Sequence, residues 1–560
     1  MSEIRTNDGL GQRWTLPASA AAIGVCLFGN LGAFGLVGPD EPRYVWIARA
    51  MAEAGDWVTP RLYGLPWFEK PILYYWAAAI GFLLHLSAEW AARLPSACAA
   101  LAATLVIAWL ARKHYGGDAN SLSSPVLLAP LIFATSVAAI GFARAATPDM
   151  LFSASIALAM ASAASVLRRS GALRAADTGA SSGRGDSRSL VLFGVFLGLA
   201  VLAKGPAAIV LAGGAIGLWA LATRQLRAAV CVVHPFAIAA FCVVALPWYV
   251  LCAIRNADFL RVFLWQHNFE RYVTPIFEHR QPFWYFGPIV LLALLPWTAL
   301  LWPVAQEGLR LWREKSWTNS PGFFFACWVI VPVVFFSLSQ SKLPGYVLPA
   351  IPPLALLCSI AALRALNRSD AVNVVLAGSL GVVWVFLVVA GFHGVRRLVG
   401  GHSTTGVTSV HVTFMRSFPL AGILFAALIM IAVVFCRRPL IAIPVLAFCL
   451  AANVEIVSLA ELPMLDAFYS ARPHAEFMRN DQRPDRIFTY QLNRSWTYGL
   501  AFYFRRELPE WSADDPTPAL VLTTPKGLQQ IRKLGRFTGD LEETQPGLVY
   551  VPIGPIPGAR

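Results

Sequence analysis

About thirteen apolar runs, nearly free of charge and spread from residue 18 to residue 460, constrain this chain more than any other feature. They fall at roughly 18–37, 91–111, 123–143, 150–167, 189–203, 206–223, 228–254, 286–305, 321–338, 345–363, 370–392, 417–436 and 439–460. Each lies near the ~20 residues that a helix needs to cross a bilayer. Residues are 57% hydrophobic and 14% charged, against about 45–50% and about 25% in a soluble domain. Alternating apolar–polar patterns do not dominate, which argues against an outer-membrane barrel. The expected fold is therefore a polytopic α-helical membrane protein.

Charge gives the runs an orientation. The clusters Arg112–Lys113, Arg168–Arg169, Arg224/Arg227, Arg310/Arg313/Lys315, Arg364/Arg368 and Arg437–Arg438 all fall on one side if residues 38–90 form a single loop. That side is then cytoplasmic, because cytoplasmic loops hold the excess of Lys and Arg; only Arg396–Arg397 falls opposite. The apolar stretch 71–87 is left out as a span, since including it would scatter the clusters. Its Tyr74, Tyr75 and Trp76 suit a helix lying at the interface. The net charge of +14 is read as orientation and attraction to anionic lipid, with no nucleic-acid partner. The nine cysteines all lie in or beside apolar runs, without the spacing of a disulfide framework or a redox pair. The first run lacks a small-residue cleavage site and is read as an uncleaved anchor.

The opposite loops gather the chemistry. They contain 38-GPDEPRY-44, 68-FEKP-71, 144-RAATPD-149, 204-KGP-206, 267-HNFERY-272, 279-HRQPFWYF-286 and 339-SQSKLPGYVLP-349. Ionisable groups at a membrane boundary are costly, and their collection on one face marks a substrate site. Asp40 and Glu41 are candidate catalytic carboxylates, facing a reacting centre as base or as a partner for positive charge; Asp40 equally suits a helix cap before 42–54. Asp149 repeats the pattern at a second helix start, where Thr147 or Asp149 would cap 150–167. Lys70, Lys204, Arg255 and Lys342, with Arg43 beside the acids, suit a lipid phosphate held by charge-assisted hydrogen bonds; snorkelling anchors are the competing reading. Glu69, His267 and His279 share the face and have the ligand types for Zn²⁺, though without HxxxH spacing. No DxD motif is present, so a nucleotide-sugar site has no obvious metal ligands. No cofactor is required.

After Leu462 charges, prolines and turn residues return, with short strand-like and helix-like segments at 486–492, 498–508, 519–525, 526–535 and 547–553. The expected division is a membrane domain over 1–460, whose first loop 38–90 carries interfacial helices, and a small α/β domain over 461–560. With a cytoplasmic N-terminus and thirteen spans, that domain lies outside, in the periplasm.

The ordered set DEPRY, FEKP, R-x-x-TPD, KGP, HNFERY with H-x-x-PFWYF, and SQSKLPGYVLP resembles the GT-C membrane glycosyltransferases. Within them it is most similar to the bacterial aminoarabinose transferases that modify lipid A, relatives of the protein O-mannosyltransferases. The resemblance runs over nearly the whole chain. It implies thirteen spans of GT-C type with a periplasmic C-terminal domain in the inner membrane. The reaction implied takes 4-amino-4-deoxy-L-arabinose from undecaprenyl phosphate to a lipid A phosphate with inversion, a modification that confers resistance to polymyxin. By the same resemblance Asp40 is the essential acid, and Lys70 with Arg255 hold the carrier phosphate. Arg43 and Asp149 line the same chamber, and Glu69 with a loop histidine holds zinc; Lys342 and Tyr346 of the KLPGY segment are further candidate substrate-binding residues. A monomer acting on lipid-linked donor and lipid A acceptor is expected. A protein O-mannosyltransferase is the alternative enzyme, with Asp40 as a true base. A transporter is the alternative outside enzymes, for which only His234 and Glu455 offer ionisable groups within spans.

Overall fold

The computed structural model describes residues 9–173, 187–274, 280–366, 442–480, 486–514, 518–535 and 548–553. Six of its helices are long and apolar enough to cross a membrane, or nine if each bent pair counts once, among the described residues. Most of the expected runs appear as helices, but three are broken. The run 123–143 forms α5 (Pro125–Ala134) and α6 (Val137–Ala143), bent by 60°, and Phe286–Ala293 meets Trp297–Arg313 at 110°. The last, Ile443–Leu459 with Leu462–Tyr469, bends by 52°. The expected runs 370–392 and 417–436 lie outside the described residues.

The first run ends earlier than its apolar sequence does. Helix α1 (Gly9–Phe28) stops before residues 29–38, which turn. Helix α2 (Asp40–Ala54) follows, closed by Gly55 in the left-handed conformation at φ 69°. A hairpin of β1 (Arg61–Leu62) and β2 (Leu65–Pro66) leads into α3 (Leu73–Leu83). With eleven residues, α3 is too short to span a bilayer, in keeping with the omission of 71–87. Its tyrosines, however, face the protein. Tyr74 and Tyr75 are buried, and Tyr74 donates to the Ala92 carbonyl of α4 (Ala88–Tyr115) at 2.7 Å.

Helices α7 (Asp149–Arg169), α8 (Ser187–Lys204) and α11 (Pro235–Arg255) pack against one another in turn, α9 (Ala207–Thr223) lies against Pro321–Leu338, and the short α10 (Leu226–Val232) links α9 to α11. Helix α11 also pins the first loop. Trp248 donates to the Val58 carbonyl at 2.9 Å and Asn256 to the Thr59 hydroxyl at 3.0 Å. The in-span role considered for His234 is not met: it precedes α11 and its ring accepts from the Phe236 N–H.

Beyond residue 480 the chain forms a three-stranded sheet in the order β3 (Ile487–Tyr490), β4 (Ala519–Thr523), β5 (Val549–Ile553). The first pair is parallel and the second antiparallel. All five residues of β4 are buried, as befits a central strand. The helix Arg494–Phe504 lies between β3 and β4 in the chain and rests on α2. A buried polar cluster fixes that contact. The Tyr503 hydroxyl donates to Glu89 at 2.8 Å and accepts from the Leu36 N–H at 2.9 Å. Arg472 joins Asp466 at 2.5 Å and donates to the Gly32 and Ala33 carbonyls.

Candidate active site

Two helices at this end of the bundle begin with the same dipeptide. Helix α2 starts Pro39-Asp40 and α7 starts Pro148-Asp149, and neither start has a side-chain cap. The expected capping by Asp40, and by Thr147 or Asp149, is therefore not made. Each carboxylate sits in a first turn, where the helix dipole favours negative charge, and keeps its oxygens for a cation. Asp40 accepts from Arg43, one turn along, at 2.5 Å. Asp149 pairs with the Lys204 ammonium at the end of α8.

Two glycines permit this arrangement. Gly205 has φ +103°, a conformation open to glycine and rare for other residues; it turns the chain from Lys204 into α9. Gly345, in the KLPGY segment, passes so close to α7 that a Cβ there would lie 2.8 Å from Asp149 Oδ1. The following residue, Tyr346, places its ring 4.7 Å from the Lys204 Nζ.

Glu69 is the hub of the cations. It pairs with Arg43 at 2.9 Å, Lys70 at 3.4 Å and Arg271 at 3.9 Å. Burial by itself would push the Glu69 carboxyl up, but Lys70, Arg43 and Arg271 outweigh it and hold it at about 2. Burial likewise favours neutral Arg43, yet Glu69 and Asp40 keep it charged, above the ordinary arginine range. His267 is pushed down to about 4, first by burial, with Lys70 and Arg271 adding to the effect against Glu69. It is neutral at physiological pH.

These groups border a cavity of about 430 Å³, lined on its polar side by Glu69, Lys70, Lys204, His267, Arg271 and Tyr346. Its apolar wall includes Phe152, Val210, Leu264, Phe335 and Phe336. Three cations against one carboxylate in the lining suit a phosphate, and the adjoining wall suits a hydrocarbon tail. Arg43 and Asp40 adjoin this lining through Glu69, with the Asp40 side chain 52% exposed.

The remaining expected residues fall elsewhere. Glu41, read as catalytic, is buried behind α2. Its oxygens accept from Arg93 at 2.9 Å and from the N–H groups of Val37 and Ala146. Its place is structural, because those partners tie the first loop to α4 and to the approach of α7. Arg255, expected on the carrier phosphate, is 55% exposed and pairs with Asp56 at 3.1 Å, away from the cavity lining. Arg271, which the sequence reading missed, stands there instead. The signal was present: it lies one helical turn after His267 in HNFERY, on the π-helical segment Arg261–Glu270 and its continuation. Lys342 is buried and donates to the Ser339 carbonyl at 2.5 Å, so Ser339 and Ser341 line the cavity in its stead. His279 lies outside the described residues. Among the described residues no group of three metal-ligating side chains converges; Glu69 meets cations where zinc would need free donors.

The architecture is that of the GT-C membrane glycosyltransferases. The crystal structure of ArnT from Cupriavidus metallidurans bound to undecaprenyl phosphate superposes with a TM-score of 0.73 at 23% identity, covering 98% of each chain. Residues 13–263 match the family described as dolichyl-phosphate-mannose-protein mannosyltransferase. The undecaprenyl phosphate-alpha-4-amino-4-deoxy-L-arabinose arabinosyl transferase of Aeromonas hydrophila is 30% identical over 388 residues, 69% of this chain and 67% of that one. Its counterpart in Edwardsiella ictaluri is 31% identical over 386 residues, 66% of each chain. The chain belongs to this family of arabinosyl transferases. Its match spans just under two thirds of the Edwardsiella protein and 60% of the one from Serratia proteamaculans.

Proposed function

We propose that the chain transfers 4-amino-4-deoxy-L-arabinose from undecaprenyl phosphate to a phosphate of lipid A, at the periplasmic face of the bacterial inner membrane. The observation that carries this reading is the cavity where Lys70, Lys204 and Arg271 meet an apolar wall. A polyprenyl phosphate has that division of charge and hydrocarbon.

An oxygen of the acceptor phosphate attacks the anomeric carbon from the face opposite the carrier. The bond from that carbon to the carrier phosphate oxygen breaks, and the configuration inverts. Undecaprenyl phosphate departs with one more negative charge than it had as donor, and Lys70 with Arg271 stabilise it. The acceptor oxygen is already anionic near neutral pH, so little proton removal is needed. Asp40 acts instead on the positive charge of the sugar, at its ammonium or as the anomeric carbon gains oxocarbenium character. Arg43 holds that carboxylate in register with Glu69, and Asp149 does the same for Lys204.

The match to mannosyltransferases over residues 13–263 favours one second reading, transfer of a sugar from a polyprenyl phosphate to a protein hydroxyl. Asp40 would then be a base. Purified protein in proteoliposomes, given labelled aminoarabinose donor and lipid A, decides between them. A gain of one aminoarabinose mass on lipid A is expected. No transfer, with transfer to a hydroxyl acceptor instead, would replace the proposal by the alternative.

A further inference from the structure

We propose that Tyr498, from the C-terminal sheet region, is a positioning residue of the active site, holding the Arg43 guanidinium between Asp40 and Glu69. The inference rests on the glycosyl-transfer reading for its kinetic arm only. Arg43 reaches both acids through the same nitrogen: Nη2 lies 2.5 Å from Asp40 and 2.9 Å from Glu69. Its Nε is buried with no hydrogen-bond partner among the described residues. One shared nitrogen leaves the guanidinium plane free to turn, so its orientation must come from elsewhere. Three rings supply it, with centroids 5.4 Å (Tyr44), 5.4 Å (Trp67) and 5.7 Å (Tyr498) from the guanidinium carbon. These distances fall within the range of cation–π attraction.

Tyr44 and Trp67 belong to the first loop, whereas Tyr498 comes from the helix Arg494–Phe504. Its ring is itself fixed by stacking on Tyr63 at 6.3 Å, and Tyr63 meets Trp46 edge-on at 4.8 Å. One turn further along the same helix, Phe502 covers Arg49 at 4.2 Å and accepts from it at 3.2 Å. Arg43 and Arg49 are six residues apart on α2, so the two helices meet along a seam with the site at one end. The far end of the chain therefore completes the cage around a site arginine.

The test uses full-length protein with Tyr498→Phe, Tyr498→Leu and Tyr498→Met. Arg43 accessibility is read from its modification by phenylglyoxal, quantified on the Arg43 peptide by mass spectrometry. Tyr498→Phe keeps the ring and is expected to match wild type in both arms. Tyr498→Leu is expected to speed Arg43 modification about tenfold and to lower kcat about tenfold, the scale of one lost cation–π contact in a partly buried site. The donor KM should move less than about twofold, because Lys70 and Arg271 reach the cavity independently. Tyr498→Met, a second non-aromatic side chain, decides the matter if Tyr498→Leu does not fold. Unchanged Arg43 reactivity in a folded non-aromatic variant overturns the proposal, whatever the activity. Wild-type protein without transfer would sink the glycosyl-transfer reading alone, since the modification arm needs no turnover.

Discussion

At the scale of single residues, adjacent acids have taken opposite employment. Asp40 looks outward beside Arg43, while Glu41 is buried and bonded to Arg93 and two backbone N–H groups. Asp40→Asn should therefore lower kcat by about 100-fold with little change in melting temperature. Glu41→Gln should do the reverse, because Arg93 then keeps a buried charge without its partner, at a cost of about 3–5 kcal/mol. Thermal unfolding in detergent, set beside the transfer rate, separates the two. A second contrast lies among arginines. Arg271→Ala should raise the donor KM by about 10- to 100-fold, the worth of a charge-assisted hydrogen bond, and Arg255→Ala by less than about twofold, as for an exposed pair. Sequence could not make these distinctions. Glu41 meets Arg93 only because α4 runs behind α2, and any of the three arginines in 255–272 (Arg255, Arg261, Arg271) fits a phosphate until the π-helical turn aims one of them.

His267 yields a pH statement. Its pKa falls from 6.5 in the unfolded chain to about 4 in the fold. The unfolded state then binds more protons between those values, so stability is complete above about pH 6.5 and declines as pH drops toward about 4. The rate–pH profile should show no histidine inflection between about pH 5.5 and 8, and His267→Gln should leave its shape there unchanged. An inflection near about pH 6.5 that disappears in the variant would contradict the burial of this ring.

At the scale of elements, the two Pro-Asp helix starts were visible in the sequence as a repeated pattern, but their use was not. Local spacing suited capping as well as catalysis, and the fold instead brings Arg43 and Lys204 to the carboxylates. The reason Gly follows Pro in KLPGY was also hidden, since it depends on α7 passing alongside. Gly345→Ala would place a methyl 2.8 Å from both Asp149 Oδ1 and Phe142 Cζ. The expected result is a transfer rate reduced by up to about 100-fold through displacement of the acid, with the protein still folded by size-exclusion chromatography. The apolar runs marked where helices lie, yet not where they break: a run of ~20 apolar residues reads alike whether straight or bent by 110°.

At the scale of the molecule, the region beyond residue 460 carried no matched motif, and its sheet appeared only as alternating short segments. Its bearing on the site follows from contacts no local pattern reveals, among them Tyr503 with Glu89 and Leu36. Tyr503→Phe takes the acceptor from the buried Leu36 N–H and leaves Glu89 with Arg472 alone, and should cost about 1–3 kcal/mol, seen as a lower melting temperature. If melting is unaffected, the docking of this region on the first loop is not what the hydroxyl secures.

Around Glu69 and the two helix starts, four cations (Arg43, Lys70, Lys204, Arg271) stand against three carboxylates (Asp40, Glu69, Asp149). The four cations and three carboxylates thus leave this vestibule with a net charge close to zero. Its positive groups are already engaged, so an ordinary membrane headgroup of single charge gains little by displacing those internal partners. A headgroup must bring enough charge to release Lys70 and Arg271 from Glu69; in the proposed reaction the spent carrier, more highly charged than the donor, would compete best. Turnover in such an enzyme should consequently be governed by how quickly that product is drawn back into the bilayer.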